Sequence, residues 1–365
     1  MKNKTKTRKC IPLFAIPCFL IVIISLSVYF VGTNNSEFAE WITQNIGHPV
    51  RLLLAKITDV VPFSIAEALL VLSPVVLVLI IVIAAKRNGF REKVRFFVSI
   101  LACVSILLSM YVYTLGIGYY RTFVSDRMAL ESLKADEANL YSTALILQEE
   151  CERLIDEIEF GETGSSVASI DFDEMCDEVW LGYERLAADY PSLEIETFNS
   201  DAKQVLLSKG LTYLDILGIY TFFTGEANVN VHYPDYTTPT AIAHEFAHQR
   251  GVSRENEANF IAFLVCIRAD DPYVRYSGYI NMFEYVASAL GRTNKELLLS
   301  VYDNMDYRMY GELKAFSDFY YANNSEILGN ISNFFNDNYL KSQGTEGTVS
   351  YGLVVQLCVA YYCNE

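Results

Sequence analysis

Histidine is scarce in this chain, with four in 365 residues. Charge is missing from two long stretches, residues 11–32 and 96–120. A third, residues 65–85, holds only Glu67 near its start. These gaps argue against one soluble body. A helix needs about 20 apolar residues to cross the hydrocarbon core of a bilayer, and each stretch supplies that. Three membrane spans are therefore expected, with Pro74 inside the second as a kink that membrane helices tolerate. The first stretch is longer than the 7–15-residue core of a signal peptide and lacks a clear small-x-small cleavage site, so it reads as a retained anchor.

Basic residues are few beyond residue 120. Residues 1–120 hold 12 Lys+Arg against 5 Asp+Glu, and the remainder holds 16 against 39, a net of −23. That acidity repels nucleic acid and excludes it as an expected partner. Within the first 120 residues the basic side chains cluster in the tail "MKNKTKTRK" and the loop "KRNGFREKVR". Loops rich in Lys and Arg stay in the cytoplasm. The expected arrangement is a cytoplasmic tail at 1–10, a three-span region at 11–120 and an extracytoplasmic domain at 121–365 in the cell membrane.

No regular cysteine spacing is present. The eight cysteines form neither a disulfide framework nor a C-x-x-C zinc knuckle, and Cys358 and Cys363, five apart on a helix, would face different ways. Internal repeats and low-complexity tracts are also absent. Most of the outer region has helical periodicity, for instance "DFDEMCDEVWLGYERLAADY". The segment "GIYTFFTGEANVNVHY" alternates Ala227, Val229 and Val231 with Asn228, Asn230 and His232, a strand signal. Near the end, "GTEGTVSYG" reads as a loop, and "LVVQLCVAYY" as a buried closing helix too short to span. The fold class expected is a membrane-anchored α+β chain, mostly helical with a small sheet.

Two of the four histidines fall in "TTPTAIAHEFAHQRGVSRENEANF". Thr238 suits a helix N-cap, Pro239 the first turn, and Gly251 the position past the end. Within that helix His244 and His248 are four apart and share a face, so both imidazoles can reach one ion. The neighbours Ala241, Ile242, Ala243, Phe246 and Ala247 are apolar, and buried histidines need partners, which Zn2+ would supply. The bland alternative is a polar helix satisfied by protein groups alone. Glu245 follows the first candidate ligand and is placed to act as general base and acid on a water.

The motif "HEFAH" resembles the zincin peptidases. The longer pattern "TGEANVN…TAIAHEFAHQRGVSRENEANFIAFL" behind three apolar stretches is similar to an uncharacterised bacterial membrane-protein family, domain-of-unknown-function family 3810, grouped with the zincin-like metallopeptidases. The resemblance covers nearly the whole chain. It implies a zincin-like domain and zinc-dependent hydrolysis of a peptide or protein substrate associated with membrane or envelope, and it brings no known substrate.

A catalytic zinc takes three protein ligands and keeps one position open. Candidates for the third are Glu255, Glu257, His232 and Asp235. A metzincin pattern requires a histidine where this chain has Arg254. The gluzincin pattern E-x-x-x-D resembles Glu255 to Asn259, with Asn in place of Asp. With Ser253 as N-cap, Glu255 falls in the first turn of the next helix and shares a face with Asn259, while Glu257 points about 160° away. Glu255 is the favoured ligand; for Glu257 a solvated helix face is the alternative. The strand "EANVNV" is expected either to be the sheet edge that pairs with an extended substrate or to be an ordinary core strand. Candidate donors to a developing oxyanion are Tyr339, Tyr351 and Arg250. The competing function is a non-catalytic membrane scaffold or receptor that keeps a zincin-like zinc site. A transporter fits poorly, because the apolar stretches hold almost no ionisable groups.

Overall fold

The structure, a computed structural model, describes residues 10–131, 133–195, 197–323, 325–345 and 351–363. Helix α1 spans Ala15–Gly32. Two short helices follow, α2 (Ser36–Ile42) and α3 (His48–Thr58), joined by a π-turn. Then come α4 (Ile65–Ala85) and α5 (Phe90–Thr114), the latter continued by a 3-10 turn to Tyr120. Helices α1, α4 and α5 are long and apolar enough to cross a membrane, and the chain is membrane-associated on that ground. The apolar side chains of α4, Leu70 and Val78 among them, are exposed all round, as a lipid-facing helix requires, while α1 and α5 pack on each other along one face. Helix α4 runs unbroken through Pro74. Most of the basic tail, residues 1–9, lies outside the described residues.

The remaining elements are α6 (Val124–Arg127), α7 (Glu137–Leu154), the hairpin β1 (Glu159–Phe160) and β2 (Ser166–Val167), and α8 (Phe172–Asp189). Next come β3 (Lys203–Gln204), α9 (Ser208–Tyr213), β4 (Gly218–Thr221) and β5 (Glu226–Val229). Helices α10 (Thr237–Gln249), α11 (Glu255–Cys266), α12 (Pro272–Thr293), α13 (Lys295–Asp303), α14 (Tyr307–Asn323), α15 (Glu326–Ser342) and α16 (Tyr351–Cys363) complete the chain. One hydrophobic core joins residues from Val124 to Val359. Helix α10 runs through its middle, with Ile242, Ala243, Phe246 and Ala247 fully buried. Burying a side chain such as Ile242 or Phe246 contributes about 1.5–3 kcal/mol. The closing helix α16 is buried as its composition predicts, through Val354, Val355, Cys358 and Val359. The cysteines are free among the described residues. Of the loop read at 344–352, residues 346–350 lie outside the described residues.

Two expectations are corrected. The strand signal resolves into two strands joined by a turn at 222–225, and the sheet order is β3-β5-β4. The "EANV" strand is therefore central, and the edge beside α10 is β4, antiparallel to β5 with Ile219 opposite Asn228. Pairing with both neighbours consumes the backbone groups that the strand would need to bind anything else. Second, α10 starts at Thr237, so Thr238 and Pro239 sit inside its first turn; no side chain caps it, and the Thr237 hydroxyl donates to Pro234 O. The segment between α1 and α4 is largely helical, as α2, the π-turn and α3. Gly32, Ala39, Ile42 and Ile117 pack together, and α2 and α3 lie against the end of α5.

The ends of α1 and α5 and the start of α4 lie together on the side of the folded domain. A Cβ on Gly32 would meet the Ile117 side chain at 2.8 Å. The first backbone N–H groups of α4, those of Ile65 and Ala66, donate to the two carboxylate oxygens of Glu226 on β5, both at 2.8 Å. These groups have no partner within their own helix, and a carboxylate there also meets the positive end of the helix dipole. Glu67 reaches back the same way and accepts from the N–H groups of Leu206 and Leu207. The sheet is thereby bonded to the first turn of an apolar helix.

Candidate metal centre

Helix α10 presents His244 and His248 one turn apart, with their Nε2 atoms 3.1 Å from each other. The helix stops because Gly251 adopts φ +88, a conformation that costs glycine little. A Cβ there would also press on the Arg51 guanidinium at 2.8 Å. The chain reverses within four residues, and α11 begins with Glu255 as its first residue. Its carboxylate comes back over α10, with Oε2 3.3 Å from His244 Nε2 and Oε1 3.6 Å from His248 Nε2. One ligand atom from each of the three residues lies within 4.8 Å of the others.

The tautomer of His248 follows from its other nitrogen. Nδ1 lies 2.8 Å from the carbonyl oxygen of Val252. A carbonyl only accepts, so Nδ1 carries a proton, and whenever the ring is neutral Nε2 presents its lone pair to the centre. A backbone carbonyl thus does the orienting work that a carboxylate does in many metal sites. Asn259, in the place of the family pattern's Asp, makes no side-chain hydrogen bond among the described residues. Burial alone would push His248 down, but the Glu255 carboxylate outweighs it and lifts the ring to about 9. Burial likewise raises Glu255, and the two histidines overturn that and hold it well below the usual carboxylate range. The three groups compensate one another as a bound cation would compensate them. Two imidazoles and a carboxylate, aimed at one point, fit a zinc-type ion.

Glu245 sits beside this point. Burial pushes its carboxyl up, while it accepts a hydrogen bond from the backbone N–H of Tyr220 on β4. Asn230 N–H bonds Leu217 O, so residues 217, 219 and 221 turn toward β5. Gly218 and Tyr220 therefore turn their backbone groups to the side away from β5, where Glu245 lies. A Cβ on Gly218 would meet Glu245 Oε1 at 2.5 Å and its Cδ at 2.8 Å, so only glycine admits the carboxylate here. The other oxygen, Oε2, is buried and has no hydrogen-bond partner among the described residues. A buried oxygen of this kind costs about 1–3 kcal/mol or more until something donates to it.

The other candidates are engaged elsewhere. Glu257 is not on a solvated face: it is buried and accepts from the Val124 N–H at 2.9 Å and from Arg254 at 3.0 Å. His232 Nδ1 meets the Thr212 hydroxyl, and Asp235 accepts from the Ala168 N–H. Arg250 points away from the centre into a box of Tyr183, Phe198 and Phe246, 4.4–4.9 Å from each ring, and donates to Phe198 O. Tyr339 packs edge-on against Tyr111 and Tyr119, with its hydroxyl 3.3 Å from that of Tyr111. Burial and then Tyr119 raise its pKa, with the charge of Glu255 among the further causes. The Tyr351 side chain lies outside the described ones.

Sequence reasoning missed two walls of the site. The turn at 251–254 is bonded to the end of α5: Ser253 Oγ donates to Leu115 O, Arg121 donates to Gly251 O, and Arg254 donates to Arg121 O. Ser253 therefore does not cap α11, whose N-cap position is Arg254. The second wall is β4, whose continuation at Phe222 is held by the Thr114 hydroxyl. The segment that forms β4 read as strand, but its place against Glu245 was not legible. No curated protein and no solved structure matches the chain. The family model described as "Protein of unknown function (DUF3810)" matches residues 43–359, from the start of the π-turn after α2 into α16. The chain belongs to that family, and the His244–His248–Glu255 centre lies within the matched part.

Proposed function

We propose that this protein is a zinc-dependent metallopeptidase of zincin-like, Glu-liganded type, anchored by three membrane spans with its catalytic domain outside the cytoplasm. The observation that carries the reading is the convergence of His244, His248 and Glu255 beside the buried, unpartnered Oε2 of Glu245. His244 and His248 would hold the metal through Nε2, and Glu255 through its carboxylate. Zinc bound there supplies Lewis-acid activation of water and polarisation of a peptide carbonyl. Glu245 holds and moves the proton: its free oxygen receives one from the attacking water and returns it to the leaving nitrogen. The bond from Tyr220 N–H to the carboxylate keeps that oxygen in place. The basic tail and the 86–95 loop support a cytoplasmic side opposite the folded domain. The engagement of Glu257 by the Val124 N–H and Arg254 supports Glu255 as the third ligand.

The test is metal analysis of purified full-length protein together with digestion of a peptide library. Wild type should carry one zinc per chain and cut peptides. His244→Ala should lose both, and Glu245→Gln should keep zinc and lose cleavage by at least 100-fold. Wild-type protein that binds no metal when supplied with zinc would sink the reading. Zinc retained with no cleavage by wild type would instead favour a scaffold with a zincin-like site.

A further inference from the structure

Resting on that reading, we propose that the substrates are polypeptides anchored in the same membrane, cut within about the first ten residues outside the bilayer. Both walls of the site are bonded to one place, the end of α5. On one side, Ser253 Oγ bonds Leu115 O at 2.7 Å, and Leu115 directly follows the last residue of α5. Glu255 is two residues further, so its Cα lies within roughly 7 Å of that of Ser253. On the other side, the Thr114 hydroxyl bonds Phe222 O at 3.1 Å, and the Tyr111 ring packs edge-on against Phe222. Gly218, which touches Glu245, is four residues back along β4, or about 13 Å.

The end of α5 also marks the bilayer boundary. From Phe96 to Thr114 it carries no charge. At 1.5 Å per residue that length is about 28 Å, which matches the hydrocarbon core. Helix α4, 21 residues long, gives a similar span of about 31 Å. The metal-ligand cluster and Glu245 therefore lie on the order of 15 Å from the boundary. An extended chain rises about 3.3 Å per residue, so one leaving the bilayer reaches that height in roughly five residues.

A group of exposed apolar side chains beside the start of α4 continues the lipid-facing surface onto the domain. Leu206 is 84% exposed and Leu207 53%, and their N–H groups are the ones bonded to Glu67 in the first turn of α4. Val60 at 82% and Phe63 at 50% lie just before the same helix. Residues of this kind gain by entering the interface and hold the domain at fixed height. A site so held favours bonds at its own level over bonds far along a chain. Tethering also raises the local concentration of an anchored substrate.

The experiment uses full-length protein in lipid nanodiscs. A pool of 40-residue randomised peptides is coupled through a terminal cysteine to phosphatidylethanolamine in the same discs, in N-anchored and C-anchored versions. The same pool is also supplied uncoupled. Glu245→Gln protein measures contaminating proteolysis. Cuts read by mass spectrometry should cluster within ten residues of the anchor, with the anchored pool cut at least tenfold faster. Cuts spread evenly along anchored peptides, or equal rates for both pools, would overturn the proposal and leave the peptidase reading standing. Cleavage of neither pool by zinc-loaded protein would remove both. As a second measurement, a fluorophore on Leu206→Cys should be quenched by bromolipids and one on Leu299→Cys should not, each read against labelled protein without the added cysteine; no quenching at position 206 would refute the placement at the bilayer.

Discussion

The hydroxyl of Ser253 donates to the carbonyl oxygen of Leu115 at 2.7 Å, which ties the turn between two metal-ligand candidates to the end of an apolar helix. Gly118 lies under the same hydroxyl, well inside the distance a Cβ tolerates. Ser253→Ala should cost about 1 kcal/mol of stability. Gly118→Ala should cost more, and the double variant should fall short of the sum because the clash and the bond share one atom. Denaturant unfolding of the four proteins checks this; strict additivity would show that the two sites do not touch.

Gly218→Val should lower peptidase activity by at least tenfold with zinc content unchanged. The added side chain would fall on Glu245 and push its carboxylate off the Tyr220 N–H without reaching the ligand atoms. Parallel zinc and rate measurements decide it, and loss of zinc in step with activity would contradict it.

Metal removal should destabilise the protein. At a metal concentration 100 times Kd, binding adds about 2.7 kcal/mol, which for a domain of this size is a Tm change of roughly 5–10 °C. Chelator should therefore lower the melting temperature of wild type and leave that of His244→Ala unchanged. Glu257→Ala should be less stable because Val124 N–H and Arg254 lose their acceptor, yet still bind zinc. A chelator-insensitive wild type, or Glu257→Ala protein without zinc, would contradict this.

Glu284 on α12 predicts a pH dependence unrelated to the metal. Burial raises its carboxyl to about 8 against the bond from Tyr236, with Glu312 adding to the rise. The unfolded chain ionises near 4.5 while the folded one keeps the proton to about 8. The unfolded state therefore binds fewer protons across that window, and stability falls as pH rises through it. The loss is of the order of a few kcal/mol at most. Unfolding followed from pH 5 to 8 should show the decline in wild type and a flatter profile in Glu284→Gln. Identical slopes would refute it.

Glu226→Ala should cost about 1–2 kcal/mol, since two N–H groups at the start of α4 lose their acceptor. Thermal unfolding in nanodiscs reads the loss; an unchanged midpoint would show that water replaces the carboxylate without cost.

Short-range physics was legible in the residues themselves. Three uncharged or nearly uncharged stretches specify apolar helices, because hydropathy needs no partner. The spacing of His244 and His248 specifies a shared helix face, and Gly251 specifies the stop, because a helical turn and a positive φ are local properties. Contacts between distant segments decided the rest. The sheet order put β4 at the edge and the EANV strand in the centre, since hydrophobic alternation does not say which neighbours a strand takes. Packing brought Glu257 against the Val124 N–H, and the aromatic box took Arg250 away from the centre. Ser253 has the chemistry of a helix cap, but the carbonyl it bonds belongs to a residue 138 positions earlier in the chain. Such a choice depends on which groups the fold brings within hydrogen-bond reach, and one position along the chain carries no record of it.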